Sequence, residues 1–195
     1  MAESKVKTRY EAIVIGGSSG SIDFMLKLLP LLRVPLLGII IIVLHRKNSL
    51  ASTLSELFSS RTAIPVKEIE DKDTVTPGHI YIAPADYHLL IEKNREFSLD
   101  SSEKINFSRP SLDVTFESAA DVYGPLMAGV ILSGANADGA DGLKAVKKAG
   151  GLIIAQKPET ARVSYMPEQA ILKNAVDFIY DHDELAAFIN SSLNG

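Results

Sequence analysis

Four stretches of the chain are apolar almost without interruption: Ala12-Ile13-Val14-Ile15, Ile39 to Leu44, Leu126 to Leu132 and Leu152-Ile153-Ile154-Ala155. Short runs of this kind, apolar on both faces, are the pattern of strands buried inside a parallel sheet. Amphipathic segments lie between them. Helices are predicted from about Ser21 to Leu29, ended by Pro30, over 49–60, over 111–123 and from about Asp141 to Lys148. In the third of these Leu112, Phe116, Ala119 and Ala120 share one face. Weaker patterns add a strand at about 64–69, a helix near 167–174, a strand at 176–180 and a terminal helix from Asp183. After the Pro77-Gly78 turn, His79–Ile82, His88–Ile91 and Glu96–Leu99 are short and closely spaced, which predicts an antiparallel hairpin excursion. The alternation of strand and helix predicts a single-domain α/β fold. Its architecture is doubly wound and Rossmann-like, three layers deep, with a mostly parallel sheet covered on both faces.

No repeat or shift in composition divides the 195 residues, so 11–195 reads as one domain behind a solvated tail at 1–10. The formal net charge of -4 argues against nucleic acid as a partner, since phosphate binding rests on a concentrated basic surface. The absence of cysteine excludes a disulfide framework, a thiolate nucleophile and a Cys-based zinc site. The N-terminus has no apolar signal-peptide core. Val34 to Leu44, the longest apolar stretch, is broken by Pro35 and Gly38 and is too short to cross a bilayer. A cytoplasmic protein, not inserted in a membrane, is expected.

Ligands of parallel sheets bind beyond the carboxyl ends of the strands, and three of the buried strands end there in polar residues. Ser18 follows the first, within Gly16-Gly17-Ser18-Ser19-Gly20. This fits the G-x-S-x-G pattern, where small neighbours leave a nucleophilic hydroxyl accessible and the next helix offers N–H groups to an oxyanion. It is also compatible with a turn that merely closes a βα unit, or with a phosphate loop. A dinucleotide loop fits poorly, because the G-x-G-x-x-G spacing and the ribose-binding acid are both missing. His45 stands where that acid would be, in position to serve Ser18 as a base. Of the other histidines, His79 and His88 fall in the hairpin excursion, and His182 reads as part of a helix N-terminus. Asp138, in the loop Gly134 to Gly139, reads either as a cap of the helix it precedes or as the carboxylate that orients His45. The composition of the loop does not separate the two. The order Ser18, His45, Asp138 differs from the Ser, Asp/Glu, His order of α/β-hydrolases.

Taken together, these loops resemble the catalytic domain of the chemotaxis receptor methylesterase (CheB) family from about Tyr10 to Phe178. The family's G-A-S-T-G-G is similar to Gly16-Gly17-Ser18-Ser19-Gly20-Ser21, its Q-H-M-P to Leu44-His45-Arg46-Lys47, and its T-G-M-G-x-D-G-A-x-G to Ser133–Gly142. Family-like stretches also occur at 77–84, at Arg109-Pro110-Ser111-Leu112-Asp113, at 155–161 and at Met166-Pro167. The resemblance puts the nucleophile on Ser18, the base on His45 and the carboxylate on Asp138, with the N–H groups of Ser19 and Ala135 as oxyanion donors. Ala135 stands in place of the family's Met, Asn136 in place of a Gly, Arg46-Lys47 in place of Met-Pro, and Ser19 in place of Thr. The Ala135 and Arg46-Lys47 changes are expected to reshape the pocket and the Asn136 change to alter the loop, while Ser19 keeps a hydroxyl.

The activity implied is hydrolysis of glutamate γ-methyl esters on chemoreceptors or receptor-like signalling proteins, releasing methanol, with glutamine deamidation known among members. No metal or cofactor is implied. The partners implied are a methylated receptor and a separate receiver or phosphorelay protein, since the family's N-terminal receiver domain has no counterpart in this sequence. Three rival expectations are a serine hydrolase acting on another ester, a catalytically silent partner-binding domain and a nucleotide-binding domain.

Overall fold

The computed structural model describes residues 10–46 and 51–194. The expected tail at 1–9, Lys47 and the start of the helix expected at 49–60 lie outside the described residues. Tyr10, the last residue of that tail, is half-buried, its ring 5.8 Å from that of Phe188.

In chain order the elements are β1 (Ala12–Gly17), α1 (Ser21–Leu28), β2 (Ile39–Leu44), α2 (Ala51–Ser59), β3 (Val66–Glu68), β4 (Ile80–Ile82), β5 (His88–Ile91) and β6 (Phe97–Asp100). They continue with α3 (Leu112–Tyr123), β7 (Met127–Ile131), α4 (Ala140–Lys148), β8 (Leu152–Gln156), α5 (Tyr165–Lys173), β9 (Phe178–Tyr180) and α6 (His182–Leu193). Seven strands form one sheet in the order β3-β4-β2-β1-β7-β8-β9, and every pairing in it is parallel. A separate antiparallel pair, β5-β6, is the expected hairpin excursion. One element departs from expectation: Ile80–Ile82 was read with the hairpin, yet it pairs with β2 and β3 inside the main sheet.

The doubly apolar strands are explained by two cores, one on each face. Alternate residues of a strand point to opposite sides. Val14, Ile41 and Val43 accordingly meet α3, α4, α5 and the hairpin through Phe116, Leu143, Met166 and Phe97. Ile13, Ile15, Ile40 and Ile42 meet α1, α2 and α6 through Met25, Phe58 and Ile189. Each such side chain, fully buried, contributes about 1.5–3 kcal/mol.

Topology positions the site. From β1 the chain moves out through β2 to β4 and β3, then returns to the other side of β1 as β7. The order reverses at β1, which is the switch point where parallel sheets open a crevice. Gly17 pairs with Leu44 and Gly16 with Ile131, so Ser18, His45 and the loop after β7 leave the sheet side by side.

Candidate active site

The turn after β1 is tied down from below. The Ser18 N–H donates to the Ser133 carbonyl (2.8 Å) and to Ser21 Oγ (3.0 Å). The hydroxyl of Ser133, itself fully buried, donates to the Ser19 carbonyl (2.6 Å) and accepts the Val163 N–H (2.9 Å). Gly20 sits at φ +85°, a left-handed geometry open to glycine at little cost, and this lets the turn swing directly into α1. Gly134 packs so close that a Cβ there would lie 2.9 Å from the Cβ of Ser18. The result is a half-buried Ser18 and an exposed Ser19 above a rigid base. The N–H groups of Ser19 and Ala135 make no hydrogen bond among the described residues, which leaves both available to an incoming oxygen.

His45 leaves β2 with its own N–H bonded to the Gly17 carbonyl (3.0 Å). Its Nε2 lies 2.8 Å from Asp138 Oδ2. Asp138 is 1% exposed and is a hub: Oδ2 also accepts the Leu112 N–H (2.6 Å), and Oδ1 accepts Ser111 Oγ (2.9 Å). Burial works against its charge, but the His45 and Leu112 hydrogen bonds, the His45 charge and the Ser111 hydroxyl outweigh it and hold the carboxyl below the usual range. The local reading of Asp138 as a cap of the helix it precedes needs correction. Gly139 is the N-cap of α4, and the Asp138 side chain instead caps α3, whose own Ser111 makes no side-chain cap bond.

The third link is open. Ser18 Oγ forms no hydrogen bond among the described residues, and His45 Nδ1 instead lies 3.2 Å from Asn136 Nδ2. The sequence thus brings Ser18, His45 and Asp138 to one edge and joins the last two directly. Arg46, the change beside the base, does not turn its side chain to His45. Its guanidinium turns away to Glu68 Oε2 (2.9 Å) and the Ala83 carbonyl (3.1 Å), with the side chain only 3% exposed.

Several supporting residues had no role in the sequence reading. Asn106 and Phe107 are successive non-glycine residues at positive φ, a strained pair of conformations. Asn106 Nδ2 is held between Asp113 Oδ2 (2.8 Å) and Asp138 Oδ1 (3.4 Å), and Phe107 is 98% exposed beside a depression of about 390 Å³ that also touches Ala135, Tyr165 and Lys173. His88, buried, braces this loop: its Nε2 meets the Glu103 carbonyl (2.8 Å) and its Nδ1 accepts the Ser111 N–H (3.1 Å). The available signal was the Arg109-Pro110-Ser111-Leu112-Asp113 stretch, which marks the start of α3. His182 lies at the start of α6 as expected, behind an Asp181–Glu184 capping box. Among the described residues no group of three or more His, Asp and Glu side chains is arranged to hold a metal ion.

This is an α/β protein of the class that gathers a serine, a histidine and a buried carboxylate at the switch point of a parallel sheet. The chain belongs to the CheB methylesterase family, whose model matches residues 13–189. A relative from Leptospira interrogans, provisionally named a protein-glutamate methylesterase/protein-glutamine glutaminase, is 44% identical over 177 residues, 91% of this chain and 92% of that protein. One from Thermotoga maritima with the same name, not provisional, is 36% identical over 170 residues, 86% of this chain and 49% of that protein. The chain therefore spans nearly all of the first relative and about half the length of the second. The crystal structure of the Thermotoga maritima CheB methylesterase catalytic domain matches with a TM-score of 0.89 at 33% identity, covering 93% of this chain and 97% of that one.

Proposed function

We propose that the chain is a protein-glutamate methylesterase that hydrolyses glutamate γ-methyl esters on chemoreceptors or receptor-like signalling proteins, with Ser18, His45 and Asp138 as its catalytic residues. The observation that carries this reading is the 2.8 Å contact between His45, one residue past the strand end paired with Ser18's own strand, and a buried, ionised Asp138. An ionised Asp138 accepts and never donates, so it fixes the ring hydrogen on Nε2 and leaves the lone pair on Nδ1.

In the reaction, Ser18 Oγ attacks the ester carbonyl as Nδ1 takes its proton. Asp138 stabilises the imidazolium. The carbonyl oxygen, now an oxyanion, is met by the N–H groups of Ser19 and Ala135, which have no partner among the described residues. Collapse returns the proton to the methoxy oxygen, methanol leaves, and an acyl-Ser18 ester remains. Water, activated by His45, hydrolyses that ester to the glutamate carboxylate and restores Ser18. The same steps on a glutamine side chain release ammonia, which is the second activity in the relatives' names.

The partner would be a methylated receptor segment, and control by a separate receiver or phosphorelay protein belongs to the same proposal. No helix among the described residues is long and apolar enough to cross a membrane. A different ester is a second reading, favoured by one observation: Ala135, exposed at the rim, presents a smaller side chain than the family's Met. The test is receptor demethylation in vitro. Ser18→Ala and His45→Gln should each abolish it; wild-type rates in both variants would overturn the assignment of these residues, and no demethylation by wild type would leave the fold as a scaffold. Wild-type hydrolysis of small esters without receptor demethylation would favour the second reading.

A further inference from the structure

Asn136 occupies the one lone pair that the proposed reaction needs. Its amide orientation is set by chemistry. Oδ1 accepts the Asp138 N–H (3.1 Å), closing a short turn within the loop, so the other end of the amide must be the donor. That end, Nδ2, lies 3.2 Å from His45 Nδ1 and 3.5 Å from Ser108 Oγ. The ring has no freedom to answer differently, because Nε2 faces Oδ2 of Asp138 at 2.8 Å and carries the hydrogen. Nδ1 therefore accepts from Asn136. A neutral imidazole has a single lone pair there, and the Ser18 hydroxyl, unbonded among the described residues, would need the same one.

We propose that Asn136 is a latch on the base: in the resting protein its amide holds His45 Nδ1 and keeps it from Ser18, and the site becomes competent when the amide swings away. Asn136 acts through His45 and is a positioning residue, not a catalytic one. The inference rests on the serine-hydrolase reading above. The latch stands on a loop of small residues, Gly134-Ala135-Asn136-Ala137, whose Ala135 faces solvent and whose Asn136 and Ala137 are half-buried, and it lines the adjacent depression, where an occupant would touch it. Among the described residues, the charged groups near the ring are Asp138 directly and Asp113 behind it through Asn106; Arg46 is turned away toward Glu68.

The test uses a fluorophosphonate probe, which reports the reactivity of the serine without needing the receptor, with the labelled residue mapped by peptide mass spectrometry. Asn136→Ala frees Nδ1 and should raise the rate of Ser18 labelling by about 2- to 10-fold, the weight of one ordinary hydrogen bond. Asn136→Asp keeps an acceptor for the Asp138 N–H, and so the turn, but replaces the donor with a carboxylate that favours the imidazolium. It should move the acid limb of the labelling rate to higher pH, a change that mere loosening of the loop would not produce. Labelling of wild type at Ser18 with an equal or slower rate in Asn136→Ala, or an unmoved acid limb in Asn136→Asp, overturns the latch and leaves the serine reading standing. No labelling of Ser18 in any of the three proteins removes both.

Discussion

Asp138 accepts the N–H of Leu112 at 2.6 Å and so caps a helix that begins 26 positions earlier in the chain. The same oxygen accepts from His45. One carboxylate thus joins the start of α3 to the imidazole at the end of β2, and stability and chemistry share an atom. Asp138→Ala should cost about 1–3 kcal/mol in urea unfolding, because it leaves the Leu112 N–H and the Ser111 hydroxyl buried without their partner. Asp138→Asn should keep more of that stability yet lower the rate of ester hydrolysis by on the order of 10⁴-fold, because an amide no longer fixes the tautomer of the base.

Asp113 predicts a pH dependence of stability. Burial, against the opposing Gly142 N–H and with the charges of Asp138 and Asp141 adding, pushes its carboxyl up to about 6. The unfolded chain releases that proton near the ordinary carboxylate value of about 4. Between the two the native state holds more protons than the unfolded one. The stability from this group is therefore full below about pH 4 and declines as pH rises through about 6. In Asp113→Asn, denaturant unfolding followed across that window should lack this decline.

Ser133 should behave as a keystone. It is fully buried, and its hydroxyl bridges the Ser19 carbonyl and the Val163 N–H, while its own N–H meets Gln156 Oε1 at 2.9 Å. Ser133→Ala should destabilise by about 1–3 kcal/mol. It should also lower the hydrolytic rate at saturating substrate, since the serine turn loses its fastening to the floor. Thermal unfolding and steady-state kinetics on the same sample separate the two effects.

Gly134 makes a sharper test of geometry. A methyl at this position would sit 2.9 Å from Ser18 Cβ and 2.6 Å from Met166 Sδ. The thioether can rotate away more easily than the β-carbon of a serine held by its backbone. Gly134→Ala should therefore reduce hydrolysis at least 10²-fold, the cost of about 1 Å of displacement at a reacting atom, while the protein remains folded by circular dichroism.

The sheet was legible because its signal is local: six residues from Ile39 to Leu44 with no polar side chain admit few structures other than a strand covered on both faces. β4 was not, since Ile80–Ile82 is three residues long and bounded by Pro77-Gly78 and Pro84, the same composition as the hairpin that follows. Its parallel partners in β2 and β3 are tertiary facts. The site divides in the same way. Ser18 and His45 were readable as strand ends, where topology alone puts function. Asp138 was readable as a candidate but not as the cap of α3, because no local rule reaches back 26 residues. Asn136, read only as a change in a loop, meets a histidine 91 positions away, and Arg46, read as a change beside the base, is drawn off by Glu68. Partners separated that far along the chain leave no trace in spacing.

Whether Ser18 performs covalent ester hydrolysis is decided by rapid-quench measurement of methanol released from a methyl-labelled receptor. Wild type should release methanol through an acyl-Ser18 intermediate, recoverable as a receptor peptide esterified to Ser18, and Ser18→Ala should release none above background. Undiminished methanol release by Ser18→Ala would rule out Ser18 as the nucleophile.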